Sequence, residues 1–242
     1  MVWHVLGHYL SSLAHLFFPK TCAVCGEILV EGEHFICTAC RWNMPLTNFW
    51  VEEDNPVKRK LESVAEIYRA SSMFYYQKGS GYENLVYKFK YNGRPAIAYE
   101  LGRWFGRELV ESGLYGDVDI IIPVPLHVVR KMKRGYNQSE YIARGISKEL
   151  GAKVSNGNLV RRKYNRSQVG HSKWDRWSNV SGIFTVRKPE RFEGKHILLI
   201  DDVLTTGATI QSCITAIRNR TEECRISVIT LATTAQDVFG ND

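Results

Sequence analysis

The stretch ILLIDDVLTTGATI, residues 197–210, decides the fold class of this chain. It begins with an apolar run, passes through two adjacent carboxylates at Asp201 and Asp202, and continues into a threonine-rich turn around Gly207. An apolar run without polar alternation is typical of a parallel strand that is buried on both faces. The stretch therefore predicts a strand that ends at the acidic pair, followed by a loop and by a helix that begins near Ala208.

Two other apolar segments have the same character, Asp119 to Val124 and Ile226 to Ala232. Helical patterns separate the predicted strands, at Ser139 to Leu150 and at Ile210 to Arg218. Strands without alternation that are separated by helices indicate a parallel sheet with helices on both faces. The expected fold class is therefore α/β.

The composition excludes several classes of protein. Hydrophobic residues make up 44% of the 242 residues and charged residues 24%, which is inconsistent with a disordered, collagen-like or low-complexity chain. Six cysteines in a chain of this length are too few for a disulfide scaffold. The 32 lysines and arginines against 25 acidic residues give a net charge of +7, which permits phosphate-bearing partners without requiring nucleic acid.

The N-terminal residues 2–18 are apolar but are interrupted by His4, His8 and His15, so no membrane span is expected. The start also lacks the basic region and the cleavage site of a secretory signal, and we expect a cytoplasmic protein. Apolar residues recur at helical spacing up to Pro19. We predict an amphipathic helix docked on its own domain. The alternative, a helix on a membrane surface, is disfavoured because no lysine or arginine lines the polar face.

Four cysteines form two CxxC pairs that are separated by eleven residues. In a reducing compartment, four thiolates at this spacing predict a tetrahedral Zn²⁺ site without an open position, and hence a structural metal. Disulfides or free thiols are the alternative. The predicted ligands are Cys22, Cys25, Cys37 and Cys40. Cys213, in a helical pattern, is expected to be a small buried hydrophobic residue.

Three segments are expected along the chain. Residues 1–50 hold the N-terminal helix and the zinc ribbon, and residues 63–242 form the main domain. Residues 51–62 between them are polar and charged and contain Asp54-Asn55-Pro56, which is typical of a linker.

The acidic pair lies where open α/β sheets bind their ligands, at the carboxyl end of a strand. Two carboxylates suit a pair of hydroxyls, and the N–H groups of the turn that opens the helix suit a phosphate. Gly207 lets the backbone approach that anion closely. A ribose 5-phosphate has this shape. The alternatives are a purely structural pair and a Walker B strand, but the sequence contains no GxxxxGK[ST] and no GxGxxG.

The stretch around the acidic pair resembles the phosphoribosyl pyrophosphate (PRPP) motif of type I phosphoribosyltransferases. The whole chain is similar to the ComF/GntX-like family, competence-associated phosphoribosyltransferase homologues with an N-terminal zinc ribbon. The resemblance extends almost from end to end. It is carried by FPKTCAVCG at 18–26, YKFKYNGR at 87–94, DIIIPVPLH at 119–127, KRGYNQSEYIA at 133–143 and RSQVGHSKWDRWSNVSGIF at 166–184.

The resemblance implies a role for each part of the predicted site. Asp201 and Asp202, taken as the catalytic residues, would hold the 2′- and 3′-hydroxyls of the ribose. The turn from Thr205 to Thr209 would hold the 5′-phosphate. The strand end at Pro123-Val124-Pro125 matches the pyrophosphate loop, where backbone N–H groups and Mg²⁺ would hold the diphosphate. The implied ligand-binding set is Val124, Pro125, Asp201, Asp202, Leu204, Thr205, Thr206, Gly207, Ala208 and Thr209.

Basic residues are concentrated in segments that we interpret as flexible loops. They could close over a polyphosphate, and in the second segment Trp174 and Trp177 add stacking faces suited to single-stranded nucleic acid. A solvated basic surface is the third possibility. The residues are Lys88, Arg130, Lys133, Arg134, Lys163, Arg166, Lys173 and Arg176.

Two functions follow from the sequence. The first is an enzyme that binds PRPP with Mg²⁺ and transfers phosphoribose to an acceptor that the sequence does not identify. The second is a non-catalytic competence protein that binds single-stranded DNA and partner proteins.

Overall fold

A parallel sheet of five strands forms the centre of the computed structural model, which describes residues 19–91, 93–161, 183–221 and 223–239. The strand order is β1-β7-β6-β2-β3 and every neighbouring pair is parallel, so the predicted α/β class is confirmed. A separate antiparallel ribbon pairs two short strands. The strands are β1 (Ala70–Tyr75), β2 (Ile120–Pro123), β3 (Lys153–Val154), β4 (Leu159–Arg161), β5 (Phe184–Val186), β6 (His196–Leu204) and β7 (Arg225–Thr233).

Helices cover both faces of this sheet. The described residues form α1 (Thr38–Trp42), α2 (Pro56–Glu62), α3 (Gly81–Tyr91), α4 (Pro95–Glu111), α5 (Val128–Arg134), α6 (Gln138–Leu150), α7 (Ala208–Arg218) and α8 (Ala235–Phe239). None of these helices is long and apolar enough to cross a membrane. The predicted N-terminal amphipathic helix lies outside the described residues.

The central position of β6 explains why its sequence is apolar at consecutive positions. Leu198 and Ile200 belong to the core cluster that includes residues of α4 and α6, whereas Ile197 and Leu199 belong to the cluster that includes residues of α7. All four side chains are fully buried. Each such burial is worth about 1.5–3 kcal/mol relative to an exposed side chain, so both faces of the strand must be apolar.

Helices α4 and α6 approach each other at glycine positions. A Cβ atom at Gly145 would lie 2.2 Å from the backbone oxygen of Tyr99, and one at Gly102 would lie 2.4 Å from that of Ile142. These backbones therefore pass at a distance that only glycine permits. The contact fixes α6, whose first turn carries Ser139.

The zinc-ribbon segment packs directly on the main domain. Cys22, Ala23 and Ile36 share one core cluster with Phe105 of α4. The Trp50 ring meets Phe105 edge-on, with ring centroids 5.3 Å apart. The ribbon is thus part of the continuous core.

Residues 51–62, predicted to be a linker, contain helix α2. Its Val57 and Leu61 are buried in the core, and Asn55 caps its first turn by accepting from the Lys58 N–H. The Asn55 amide also donates to the Ala70 carbonyl at 2.8 Å. The stretch is therefore packed against the sheet. The division into domains itself stays a prediction.

Candidate functional site

The acidic pair lies at the switch point of the sheet, between the neighbouring strands β2 and β6. From β2 the chain continues to β3 on one side, and from β6 it continues to β7 on the other. Open α/β sheets bind ligands in the crevice that such a reversal creates. β2 ends at Pro123, paired with Ile200, whereas β6 continues through Asp201 to Leu204 along β7. The strand thus runs two residues past the acidic pair, where we predicted its end.

Asp201 is a partly buried carboxylate with two donors on one oxygen. Its Oδ1 accepts from Ser139 Oγ at 3.1 Å and from the Asp202 N–H at 2.9 Å. Burial, followed by the charge of Asp202, raises the pKa of Asp201 to about 7. Because the carboxylate costs free energy in this environment, a cation or a hydroxyl donor that binds there stabilises its ionised form.

Asp202 is paired with a lysine that the sequence analysis did not assign to the site. Its Oδ2 lies 3.3 Å from Lys90 Nζ, and the two side chains are only 15% and 19% exposed. Lys90 is part of the YKFKYNGR motif, but nothing in the sequence indicates that the end of α3 reaches β6. Ser139, the donor to Asp201, was missed for the same reason.

Lys88, which we predicted to belong to a flexible basic loop, lies within α3 and faces the zinc ribbon. Its Nζ donates to the Cys22 carbonyl at 3.5 Å. That part of the prediction is therefore wrong. Lys88 and Lys90 are only two residues apart on α3, yet Lys88 faces the ribbon and Lys90 faces the acidic pair.

The end of α3 is held by the segment Arg134 to Gln138, which contains the RGYNQ motif. Tyr136 donates its hydroxyl to the Phe89 carbonyl at 2.6 Å, and the Gln138 amide donates to the Lys90 carbonyl at 3.4 Å. The two motifs of the resemblance, distant in sequence, thus meet in the structure and position Lys90.

Most residues of the turn after β6 are exposed to solvent. Gly207 has a φ of +80° and precedes α7 without any side-chain cap. The Ala208 N–H donates weakly to Thr206 Oγ1 at 3.4 Å. Thr205, Thr206, Ala208 and Thr209 are exposed, whereas Leu204 is buried and turned into the core. An uncapped helix N-terminus beside two hydroxyls can bind an anion.

The predicted pyrophosphate loop has no free backbone donor at the two predicted residues. The Val124 N–H donates to the Ile200 carbonyl at 2.8 Å, and Pro125 has no N–H. The Val124 carbonyl accepts from the Asn137 amide at 3.0 Å, while Asn137 Oδ1 is buried without a partner among the described residues. The Val124 N–H is thus used within the sheet, and the assignment of this strand end to a pyrophosphate loop stays a prediction.

Helix α5 and strand β4 carry basic side chains. Arg130, Lys133 and Arg134 lie in helix α5 and not in a loop, which corrects a further part of the prediction. Burial lowers the pKa of Arg161, as does Arg130, whereas Asp201 acts in the opposite direction. Arg161 therefore lies within electrostatic reach of both. Lys163, Arg166, Lys173 and Arg176 lie outside the described residues.

The four predicted zinc ligands converge. The sulfur atoms of Cys22, Cys25, Cys37 and Cys40 all lie within 4.8 Å of one another, and none is in a disulfide. The Cys25 and Cys37 sulfurs are 3.8 Å apart. A tetrahedron with Zn–S bonds of ~2.3 Å has edges of about 3.8 Å, so the arrangement fits a structural zinc ion.

Backbone donors support the thiolate form of one ligand. The N–H groups of Cys37 and Val24 point to Cys22 Sγ at 3.3 and 3.4 Å. Burial acts in the other direction, but these donors lower the pKa of Cys22 to about 6. Deprotonated sulfur is the form that binds zinc.

Comparisons with known families agree with both parts of the chain. Residues 103–239 match the phosphoribosyl transferase domain model, and residues 13–49 match the double zinc ribbon domain model. The first match covers more than half of the chain. The chain therefore belongs to the phosphoribosyl transferase domain family, as a ComF-like member with a zinc ribbon ahead of that domain.

Similar curated proteins carry names that refer to competence or to DNA utilization. Competence protein F of Haemophilus influenzae is 36% identical over 93 residues, or 38% of this chain and 41% of that protein. DNA utilization protein YhgH of Escherichia coli O157:H7 is 25% identical over 81% of this chain and 89% of its own length. Competence protein ComFC of Bacillus subtilis is 27% identical over 88% of this chain and 83% of its own length.

Solved phosphoribosyltransferase structures are more distant. Adenine phosphoribosyl transferase from Trypanosoma brucei, in complex with AMP, pyrophosphate and ribose-5-phosphate, is 16% identical, with a TM-score of 0.39. The similarity covers 78% of this chain and 72% of that one.

Proposed function

We propose that the chain binds PRPP, or a closely related phosphoribosyl ligand, with Mg²⁺ in the crevice at the end of β6, and transfers phosphoribose to an acceptor. One observation carries this proposal. The adjacent carboxylates Asp201 and Asp202 lie beside the uncapped start of α7 at the switch point of the sheet. A diol-binding pair and a phosphate-binding turn are thus separated by only a few residues.

Each group has a role in such a transfer. Asp201 and Asp202 accept the ribose hydroxyls, and the N–H groups and hydroxyls of Thr205 to Thr209 hold the 5′-phosphate. The bond from C1 to the diphosphate oxygen breaks, its electron pair leaves with the diphosphate, and the acceptor forms the new bond to C1 and loses a proton. Mg²⁺ would neutralise charge on the diphosphate, with the acidic pair as the nearby oxygen donors. Catalysis is then mainly positioning and charge stabilisation.

A thermal-shift experiment tests the binding step. PRPP with Mg²⁺ should raise the melting temperature of the wild type, because a ligand that binds only the native state stabilises it. The double variant Asp201→Asn, Asp202→Asn should lose the shift. Asp119→Asn, which removes a carboxylate beside His196 at the opposite end of β6, should keep it.

A transfer assay tests the chemistry separately. Isotope-labelled PRPP and a panel of bases and amines are incubated with the protein, and released pyrophosphate and labelled products are measured. If PRPP binds but no pyrophosphate is released, the chain is a ligand-binding protein and the proposed transferase activity is contradicted.

A second candidate function is the binding of single-stranded DNA, which an exposed aromatic surface favours. The rings of Tyr87 and Tyr91 lie 4.9 Å apart, and the two residues are 55% and 48% exposed. The Arg134 guanidinium lies over the Tyr91 ring at 4.5 Å. Helix α5 adds Arg130 and Lys133. Stacking faces beside cations suit single strands, and relatives named for competence and DNA utilization support the proposal.

Fluorescence anisotropy with a labelled single-stranded oligonucleotide, measured across a salt series, tests this second candidate. Tyr87→Ala and Tyr91→Ala should each weaken binding by about 1–3 kcal/mol. The exposed aromatic Phe239, which lies near Tyr75, provides the control Phe239→Ala. Undetectable wild-type binding at low salt would remove the candidate.

A further inference from the structure

Lys90 lies outside the residues that match the phosphoribosyl transferase domain, yet its side chain reaches the acidic pair. We infer that Lys90 is a ligand-contacting residue that binds the diphosphate end of PRPP, with Asp202 holding its ammonium group in place. This inference rests on the proposed function and assigns a specificity-determining contact within it.

The position of Lys90 is fixed from several sides. Nζ lies 3.3 Å from Asp202 Oδ2, and the carbonyl of the same residue accepts from the Gln138 amide at 3.4 Å. The preceding carbonyl, of Phe89, accepts from the Tyr136 hydroxyl at 2.6 Å. At the other end of α3, Tyr82 donates its hydroxyl to the Cys40 carbonyl at 2.9 Å. The lysine is therefore held at the crevice by both ends of its helix.

The chemistry of the ligand places a diphosphate next to this ammonium group. In PRPP the diphosphate on C1 lies on the same face of the ribose ring as the hydroxyls on C2 and C3. A cation bound to the carboxylate that accepts one of those hydroxyls is therefore close to the first diphosphate oxygens. An ammonium group has three N–H donors, so Lys90 can keep Asp202 and donate to the ligand as well.

A cation also suits the charge of this crevice. The two loop residues predicted to bind the diphosphate offer no free backbone donor, because the Val124 N–H is used by the Ile200 carbonyl and Pro125 has none. Two carboxylates at Asp201 and Asp202 repel a diphosphate, and a cation between them and the ligand offsets that repulsion. Within the part of the chain that the structure describes, Lys90 is in direct contact with the pair.

The test compares two ligands and three variants by titration calorimetry with Mg²⁺. Lys90→Met removes the charge and keeps most of the stem. It should weaken the binding of PRPP by about 10- to 100-fold, because a charge-assisted hydrogen bond is lost. The affinity for ribose 5-phosphate, which has no diphosphate, should change by less than about threefold in the same variant. Lys90→Arg keeps a cation and should recover most of the PRPP affinity.

The matched control is Lys88→Met, on the same helix but directed at the Cys22 carbonyl, and it should bind both ligands like the wild type. If Lys90→Met does not fold, as judged by its melting curve, Lys90→Gln is used and the same difference between ligands is expected. Equal weakening of both ligands would mean that Lys90 only positions Asp202, and unchanged PRPP affinity would mean no contact. Either result overturns the inference. A wild type that binds neither ligand would instead overturn the proposed function.

Discussion

The zinc site takes its four sulfurs from residues 22–40, whereas the crevice at the end of β6 takes its side chains from separate segments between Lys90 and Thr209. In the ribbon, the spacing along the chain determines the geometry. In the crevice, Asp201 and Asp202 are adjacent in sequence, but Ser139 and Lys90 reach them only because α6 and α3 pack where they do. A local motif therefore specifies the first site completely and the second only in part.

The largest expected effect concerns the metal. Cys37→Ser should abolish zinc binding, because it leaves three thiolates for an ion that structural sites hold with four ligands. The parallel sheet should survive, with its circular dichroism spectrum retained. Zinc content is measured by a chelator assay. Cys213→Ala is the control and should keep one zinc per chain, since that thiol is buried in α7. A Cys37→Ser protein that retains a full zinc ion would contradict the four-sulfur site.

The next effect concerns pH and the crevice alone. The pKa of Asp201 is about 7 in the folded protein, raised from 3.8, so folding favours the protonated acid. Its contribution is fully present below the unfolded pKa and is lost as the pH rises from about 4 to about 7. Asp201→Asn should remove this loss, so its melting temperature relative to wild type should increase across that range. A constant difference from pH 4.5 to pH 8 would contradict the shift.

Ligand binding should respond to pH in the opposite direction. The ionised form of Asp201 is the one that accepts ribose hydroxyls or approaches Mg²⁺. The affinity of the wild type for PRPP with Mg²⁺ should therefore rise as the pH passes through about 7.

A smaller effect tests how the crevice depends on helix packing. Gly145→Ala places a Cβ against the Tyr99 carbonyl, which is rigid backbone, and should lower the free energy of unfolding by about 1–3 kcal/mol. Gly116→Ala, where no atom lies within 4 Å of the added Cβ, should cost less than about 0.5 kcal/mol. Urea denaturation measures both. Equal stabilities would show that α4 and α6 can separate freely, and that Ser139 is not held as the structure indicates.

The smallest effect is a difference between two glycines with positive φ. Gly207→Ala and Gly194→Ala should each cost about 1–2 kcal/mol, because L-residues are strained in that region. A Cβ at Gly207 also lies 3.1 Å from Leu61, whereas one at Gly194 meets nothing within 4 Å. Only Gly207→Ala should also weaken the binding of PRPP. If both variants bind PRPP equally well, the turn before α7 is not the phosphate site.

The same contrast explains what the sequence could and could not predict. The apolar run before Asp201 identified the parallel sheet, and the CxxC spacing identified the zinc ligands, because both signals are local. The sequence could not show that the Val124 N–H is used by the Ile200 carbonyl, because this bond depends on strand pairing. Lys88 and Lys90 are the same type of residue in the same motif. Only the packing of α3 determines that Lys88 contacts the zinc ribbon and Lys90 contacts Asp202.

The most direct test of the proposed site is a crystal structure of the protein with Mg²⁺ and PRPP, or with a stable analogue. We expect the ribose hydroxyls within about 3.2 Å of the Asp201 and Asp202 carboxylates. We expect the 5′-phosphate at the N–H groups of Thr205 to Thr209. A ligand bound elsewhere on the sheet, or a ribose with its hydroxyls turned away from both carboxylates, would contradict the proposed site.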